Sequence, residues 1–336
     1  MPGLTIAEAL RQGLSEEMAR DERVFCIGED IAIPGGWGGA FTVTLGLEKD
    51  FPDRMIDAPI SENGFCGVAL GAALMGLRPV ADVQYADFLF CAMDQIVNQI
   101  AKMRYMSGGK LTVPLVLRAP VGSTGRGAQH GQNPEAMFLN VPGWKIVCPA
   151  TAYDAKGLLK AAIRDDNPVL FFEHKLLYGA KGARAESGSV DASSEIPLED
   201  YVVPIGKGIV RRTGSDVTIV ATLLMLHRAL AAADELTAEG VDVEVIDPRS
   251  LVPFDWDLLF ESVRKTTRLV VVAEGPKTGG VGAEVAATAS ERLIDYLTAP
   301  VQRVASPDIP SPFSPPMEEF YRPGVERIVN AVRSVL

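Results

Sequence analysis

Short apolar runs alternate with longer segments of helical pattern along most of this chain of 336 residues. The apolar runs have the length and composition of strands, whereas the segments between them repeat apolar residues at helical spacing. Such alternation is typical of parallel sheets, because each parallel connection crosses a face of the sheet. We therefore predict an α/β fold with two doubly wound domains, each a mostly parallel sheet with helices on both faces.

The alternation breaks once, and the break divides the chain. From about Lys175 to Lys207 the periodicity disappears, and Gly, Ser, Ala, Glu and Pro dominate. This composition favours a linker. We predict a first domain over residues 1–180, a linker over 181–206 and a second domain over 207–336. The predicted strands are 24–27, 54–57, 79–83, 114–117, 145–148, 169–172, 217–220, 243–246, 269–272 and 301–304. The predicted helices are 6–18, 65–75, 88–106, 152–163, 226–239, 256–263 and 283–297.

The charge balance excludes some partners. The chain has 32 basic and 43 acidic residues, a net charge of -11, which argues against nucleic acid or an anionic membrane as the main partner. No stretch approaches the 18 uncharged apolar residues that a membrane span needs. The first residues lack a basic segment followed by an apolar run. We predict a cytoplasmic protein that binds neither nucleic acid nor membrane.

The cysteines and histidines show no metal-ligand spacing. Cys26, Cys66, Cys91 and Cys148 are scattered in apolar surroundings without a CxxC motif, so we predict reduced, buried thiols. The 3 histidines lack partners at helical ligand spacing, which argues against a zinc site.

Residues 56–67 place one carboxylate, Glu62, between the end of a predicted strand and a glycine-rich helix. Ligands of open α/β sheets bind outside the carboxyl ends of strands, which makes Glu62 a candidate site residue. A glutamate at a helix start is more often a capping or dipole-compensating residue, and that alternative stays open. Gly67 and Gly71 form a GxxxG pair in the helix. Since each helical Gly costs roughly 1 kcal/mol relative to Ala, we expect close approach by a second helix or subunit.

Several segments together resemble one family along the chain from about Leu4 to the C-terminus. The matching segments are 27–30, 59–65, 76–80, 93–96, 105–109, 153–159, 166–169 and 173–178. They resemble the beta subunit of the thiamine diphosphate-dependent first component of 2-oxo acid dehydrogenase complexes. The resemblance implies a transketolase-like fold, with a pyrimidine-binding domain followed by a transketolase C-terminal domain.

The resemblance also implies roles for individual residues. Glu62 matches the glutamate that hydrogen-bonds a pyrimidine nitrogen of thiamine diphosphate and favours the imino tautomer. Phe88 matches the aromatic residue that stacks on the aminopyrimidine, while Ile60 and Gln84 match positions that line the cofactor. His130 matches a histidine implicated in passing the acyl group to the lipoyl arm.

The resemblance also bears on a departure beside His130 and on a candidate potassium site. The glycine-rich loop around His130 has Gly131 where many relatives have Ser. In some members of the family, a segment like the one containing Ile163, Asp165 and Asn167 holds a structural potassium ion, and oxygen ligands suit such a hard cation. The alternative for that segment is an Asp/Asn-Pro turn that ends a helix.

One motif of related enzymes is absent. Thiamine enzymes of this type hold the diphosphate through Mg²⁺ with a GDG motif, and no GDG occurs in this chain. The resemblance therefore implies a separate alpha subunit that holds the diphosphate and Mg²⁺, an α2β2 heterotetramer and a lipoyl-bearing acyltransferase core. Activity would require the alpha subunit.

The substrate stays open among several members of the family. Pyruvate is favoured as the more frequent substrate. Residues 37–39 and 312–315 look like acetoin-cleaving relatives, and residues 134–138 look like branched-chain and pyruvate members. Two other classes are alternatives. Residues 280–283 form an incomplete nicotinamide-binding fingerprint, and a non-catalytic assembly subunit would need no site at all.

Overall fold

A computed structural model describes residues 3–179 and 188–336. Contacts divide the chain into two units, the first comprising Met1–Val121 and Asn140–Ile205 and the second Gly122–Leu139 and Gly206–Leu336. Residues 181–187 of the predicted linker lie outside the described residues, whereas residues 188–205 belong to the first unit. The domain boundaries stay a prediction.

Strands and helices alternate in both units, as the sequence pattern predicts. The strands are β1 (Val24–Gly28), β2 (Met55–Asp57), β3 (Arg78–Asp82), β4 (Val116–Val121), β5 (Lys145–Val147), β6 (Val169–His174), β7 (Ile209–Arg212), β8 (Val217–Ala221), β9 (Val243–Asp247), β10 (Ser250–Val252), β11 (Leu269–Pro276) and β12 (Gln302–Ser306). The α-helices are α1 (Ile6–Arg20), α2 (Leu47–Asp50), α3 (Glu62–Leu74), α4 (Ala101–Met106), α5 (Glu135–Leu139), α6 (Ala152–Arg164), α7 (Leu224–Thr237), α8 (Trp256–Thr266), α9 (Val281–Leu293), α10 (Pro315–Tyr321) and α11 (Val325–Arg333).

The first unit contains a parallel sheet with the strand order β5-β6-β4-β3-β1-β2. Its central strands β1, β4 and β6 are buried along their whole length, which is expected for parallel strands covered on both faces. Helices α1 and α6 pack against each other, and α3 packs on β3. Thr5 and Glu8 form a capping box at the start of α1, so the local sequence sets that helix start.

The second unit contains a sheet with the order β12-β11-β8-β9-β7. Its strands pair in parallel except for β7, which runs antiparallel to β9. Strand β7 is absent from the sequence prediction because it is a half-buried edge strand of four residues that ends in two arginines. The prediction also lacks β10 and the short helices α2, α5, α10 and α11. The α/β class with two mostly parallel sheets is confirmed.

Three local predictions were wrong. The continuous helix over 88–106 is instead a 3-10 helix (Ala86–Ala92), a π-helix (Asp94–Ile100) and α4. Helix α3 begins at Glu62 rather than at residue 65, and Cys91 is exposed, unlike the other three cysteines. No helix within residues 3–179 and 188–336 is long and apolar enough to cross a membrane.

Candidate active site

The carboxyl ends of three neighbouring strands form the frame of the candidate site. Strands β2, β1 and β3 lie side by side and parallel, so their carboxyl ends meet at one edge of the sheet. The ends approach closely because β1 finishes in Gly28. A Cβ atom at this position would lie 2.6 Å from the carbonyl oxygen of Asp82. The residues that follow the strands therefore share this edge.

Glu62 is the first residue of α3 and is only 9 % exposed. The N-cap residue Ser61 makes no side-chain capping hydrogen bond. Among the residues that the structure describes, none donates a hydrogen bond to the Glu62 carboxylate. Neither oxygen of Glu62 is a fully buried atom without a partner, so the carboxylate still reaches solvent, and a ligand at this edge could contact it. Helix-dipole compensation accounts for its place at the N-terminus but leaves its burial unexplained.

Glu29, which follows β1, forms an acidic pair with Glu62, and sequence reasoning missed this site residue. Glu29 is 8 % exposed, and burial together with the negative charge of Glu62 raises the pKa of its carboxyl to about 7. The backbone N–H of Ser61 donates to the Glu29 carboxylate, but the Oε1 atom of Glu29 is buried without a partner. A pKa of about 7 means that the Glu29 carboxyl holds its proton in a substantial fraction of molecules at neutral pH.

Gln84 lies two residues beyond β3 and organises the loops of this edge. Its amide nitrogen donates to the carbonyl oxygen of Glu29, and its amide oxygen accepts from the N–H of Ala40 at 2.8 Å. Gln84 therefore uses both its donor and its acceptor within the chain. Its predicted contact with a cofactor stays a prediction.

Phe88 and Ile60 lie on the segments that flank Glu62. Phe88 is half-buried in the 3-10 helix and packs edge-to-face with Tyr85, with ring centroids 5.7 Å apart. This 3-10 helix contacts α3, which begins at Glu62. Ile60 is 86 % exposed. An exposed aliphatic side chain beside a buried acidic pair is compatible with a ligand or a partner covering it.

A buried ion network lies beneath the edge. The Arg118 guanidinium, on β4, is 1 % exposed and donates to both carboxylate oxygens of Glu173 at 2.7 Å. It also donates to Asp82 at 2.5 Å, and the hydroxyl of Tyr178 donates to Glu173. These bonds connect Asp82 and Glu173, near the carboxyl ends of β3 and β6, to the middle of β4. They fix β3, one of the three strands that frame the site, to the strands beside it.

His130 belongs to the second unit, in the loop before α5. It is half-buried, and its backbone N–H donates to the carbonyl oxygen of Gly127 at 3.1 Å. A Cβ atom on the neighbouring Gly131 would lie 2.5 Å from Oγ of Ser311 and 3.1 Å from Oγ of Ser123. The glycine at position 131 therefore has a steric cause. The two serine hydroxyls occupy the space that a side chain would take.

The predicted potassium ligands lie at the other edge of the sheet, between α6 and β6, and they already have partners. The carbonyl oxygens of Ile163 and Asp165 accept from Arg78 at 2.9 and 3.1 Å. The Asn167 amide oxygen accepts from Arg104 at 2.8 Å, and the Asp165 carboxylate pairs with Lys145. Because three cationic side chains occupy these oxygens, the arrangement does not fit a bound cation. Elsewhere in the described residues, no group of His, Cys, Asp and Glu could hold a metal ion.

The glycine motif at 280–283 has a structural cause. Gly280 is the N-cap residue of α9, and a side chain there would collide with the carbonyl oxygen of Pro276. The close turn between β11 and α9 therefore accounts for this glycine without a dinucleotide.

Comparisons with known proteins identify the family of this chain. Residues 3–181 match the family described as the transketolase pyrimidine-binding domain, and residues 206–328 match the transketolase C-terminal domain. A pyruvate dehydrogenase E1 component subunit beta from Rhizobium meliloti is 45% identical over 100% of this chain and 70% of its own length. The 2-oxoisovalerate dehydrogenase subunit beta of Bacillus subtilis is 43% identical over 100% of this chain and 99% of its own. The chain belongs to the E1 beta subunits of the 2-oxo acid dehydrogenase family.

Other relatives of this E1 beta subunit extend the range of reactions. The beta subunit of acetoin:2,6-dichlorophenolindophenol oxidoreductase from Cupriavidus necator is 42% identical, over 99% of this chain and 97% of its own. A solved structure described as a split-gene transketolase, an inactive beta4 tetramer, superposes with a TM-score of 0.78 at 28% identity, covering 99% of this chain and 98% of its own. The family is a thiamine diphosphate-dependent family of oxidoreductases. Membership and the transketolase-like fold are thus confirmed.

Proposed function

We propose that this E1 beta subunit combines with an alpha subunit in an α2β2 heterotetramer that decarboxylates a 2-oxo acid oxidatively. The acyl group then passes to a lipoyl domain of an acyltransferase core. Pyruvate is the favoured substrate, and a branched-chain 2-oxo acid or acetoin is the alternative, in line with the names of the relatives. The observation that carries the proposal is that two buried carboxyl groups, Glu62 and Glu29, lie at the carboxyl edge of a parallel sheet, where burial and the Glu62 charge raise the pKa of Glu29 to about 7.

The residues at this edge fit the pyrimidine half of thiamine diphosphate. Glu62 offers a poorly hydrated carboxyl group that can share a proton with a ring nitrogen, and Glu29 keeps a proton available beside it. Phe88 offers an aromatic face for stacking, and Ile60 an aliphatic one. When bound, the cofactor supplies the carbon nucleophile that attacks the keto carbon of the substrate.

An alpha subunit is needed for the diphosphate half and its Mg²⁺, since the chain has no GDG motif. Helix α3 has a surface to receive such a partner. This surface consists of two glycines and two apolar residues that follow one another at helical spacing: Gly64, Val68, Gly71 and Met75. Val68 is 56 % and Met75 85 % exposed, and a Cβ atom on Gly71 would meet nothing within 4 Å. We call these four residues the α3 stripe and propose that it contacts the alpha subunit.

His130 would serve the second half of the reaction by moving a proton during acyl transfer to the lipoyl group.

A cytoplasmic location stays a prediction from the sequence. The proposed enzyme holds no potassium at the segment around Asp165, because Arg78, Arg104 and Lys145 already bond to the candidate ligands.

Replacement of Glu62 by Gln tests the proposal in the reconstituted complex. We expect the rate of 2,6-dichlorophenolindophenol reduction with pyruvate to fall at least about 10²-fold, since acid–base catalysis supplies that scale. Glu291→Gln, on the exposed face of α9, is the control for loss of one negative charge. A fully active Glu62→Gln complex would instead identify an assembly-only subunit. Parallel assays with pyruvate, 2-oxoisovalerate and acetoin identify the substrate.

A further inference from the structure

The loop that carries His130 is built from residues with little conformational restraint of their own. Residues 122–127 read Gly-Ser-Thr-Gly-Arg-Gly, and Gly122, Gly125 and Gly127 all have positive φ values, of 101°, 73° and 81°. Glycine tolerates this backbone but loses the most entropy when it becomes ordered. A fixed position for His130 therefore needs bonds from outside the loop.

Three buried charged side chains of the second unit supply those bonds. The backbone N–H of Gly125 donates to both carboxylate oxygens of Glu318, each at 2.7 Å. The backbone N–H of Ser123 donates to Glu274 at 3.0 Å. Arg322 donates to the carbonyl oxygen of Ser123 at 2.6 Å. Hydrogen bonds of this charge-assisted kind are stronger than neutral ones and restrain geometry as well.

Glu318 is the member of this set that reaches farthest along the loop towards His130. It lies on α10, is only 3 % exposed, and holds Gly125, two residues before Gly127. Gly127 in turn accepts the backbone N–H of His130, and a Cβ atom on Gly127 would lie 3.3 Å from the ring of Phe313. Burying a carboxylate is expensive, so a serine or a water would be a less costly partner for a surface loop.

We propose that Glu318 is a positioning residue for acyl transfer: its carboxylate fixes the backbone of the Gly125–Gly127 turn and thereby the placement of the His130 imidazole. The inference rests on the proposed function, because it assigns His130 to acyl transfer. Glu318 contacts backbone rather than reacting atoms, so its effect acts through geometry. Small misplacements of a reacting group can cost as much as about 10²-fold in rate.

The experiment compares two readouts in the complex reconstituted with its alpha subunit and pyruvate. Reduction of 2,6-dichlorophenolindophenol reports decarboxylation, and acetylation of a purified lipoyl domain reports acyl transfer. For Glu318→Ala we expect the ratio of the second rate to the first to fall about 10-fold or more. The fall should be in kcat for the lipoyl domain rather than in KM. Glu318→Gln keeps an acceptor oxygen for Gly125 and should restore the ratio to within about 3-fold of the original.

Two control variants make each outcome decisive. Glu326→Gln removes one exposed carboxylate of the same unit and should leave the ratio unchanged. His130→Ala should lower the ratio at least as much as Glu318→Ala. If His130→Ala lowers the ratio and Glu318→Ala does not, the positioning role is overturned and the proposed function stands. If neither variant lowers it, the role of His130 is itself wrong. Equal loss in both assays for Glu318→Ala, or no rescue by Gln, would mean a structural role only.

Discussion

At the scale of single residues, the acidic pair sets the chemistry of the candidate site. Glu29 follows β1 and Glu62 begins α3 after β2, and the parallel arrangement of β1 and β2 brings them together. The negative charge of Glu62 and the buried position of Glu29 act in the same direction on the Glu29 pKa. The outcome is a Glu29 carboxyl group with a pKa of about 7 in a place where a heteroaromatic base could exchange a proton with it.

Glu29→Gln should change how stability depends on pH. The Glu29 pKa rises from 4.5 to about 7 on folding, so between these values the folded state holds a proton that the unfolded state has released. Stability from this group is therefore lost as pH rises from about 4.5 to 7. A glutamine at position 29 does not titrate, so the variant avoids this pH-dependent loss of stability. We expect equal melting temperatures near pH 4 and a variant at least about 2 °C higher at pH 8, by scanning calorimetry. A variant less stable at pH 8 would contradict the raised pKa, and Glu291→Gln serves as the control.

Gly131→Ala tests the steric account of the loop around His130. The added Cβ would collide with Oγ of Ser311, which is 5 % exposed and bonded to the hydroxyl of Ser123. We expect a loss of about 1–3 kcal/mol in the free energy of unfolding, as for other overpacked sites. Ser311→Ala removes the colliding oxygen. The double variant should therefore lose less than the sum of the single variants in urea titrations, and strict additivity would show that Ser311 is not the obstacle.

At the scale of secondary-structure elements, buried charges join β3, a strand of the site frame, to its neighbours β4 and β6. Their carboxyl ends would repel one another without a cation, since Asp82 and Glu173 lie on β3 and β6 on either side of β4. Arg118 places its guanidinium between them. A planar group with five N–H donors can satisfy two carboxylates at once, which a lysine could not do in the same geometry.

Arg118→Met should destabilise the first unit strongly. The substitution keeps an apolar stem but leaves two buried carboxylates without their cation, a change that typically costs about 3–5 kcal/mol. Urea denaturation followed by circular dichroism measures the loss. Arg333→Met is the matched control, because its ion pair with Glu239 is exposed on both sides and should contribute little. Similar losses for both variants would mean that burial does not govern the strength of these pairs.

At the scale of the whole molecule, the chain has an apolar surface that its own described residues do not cover. The α3 stripe starts two residues after Glu62, so a partner bound there would lie beside the acidic pair. Gly67 behaves differently from Gly71, since a Cβ on Gly67 would contact Gln95 of the same chain at 3.5 Å. The GxxxG pair therefore has one glycine facing its own chain and one facing outwards.

Two substitutions of Gly71 separate folding from assembly. Gly71→Ala should stabilise the isolated chain by up to about 1 kcal/mol, because Gly is a poor residue for a helix interior and the added Cβ has room. Gly71→Leu should also fold, but it should prevent association with the alpha subunit, as measured by size-exclusion chromatography after co-expression. Ala287→Leu, on the exposed face of α9, controls for added surface bulk. Normal assembly of Gly71→Leu would place the interface elsewhere.

The sequence by itself determined the α/β class, the positions of most strands and helices, and membership of the E1 beta family. Periodicity and capping are local signals, and a resemblance spread over many short segments needs no coordinates. The Gly280 motif and the 88–106 segment show the limit of local signals. A close turn imitates a dinucleotide-binding motif, and consecutive 3-10, π and α segments imitate one continuous helix.

Only the tertiary structure decided which side chains meet. Glu29 pairs with Glu62, Arg78 bonds to the oxygens predicted for potassium, and Glu318 holds a loop 193 positions earlier in the chain. Each of these contacts joins residues far apart in sequence, so no periodicity records it. Burial, charge neighbours and hydrogen-bond partners set the chemistry of a side chain, and those are properties of the fold.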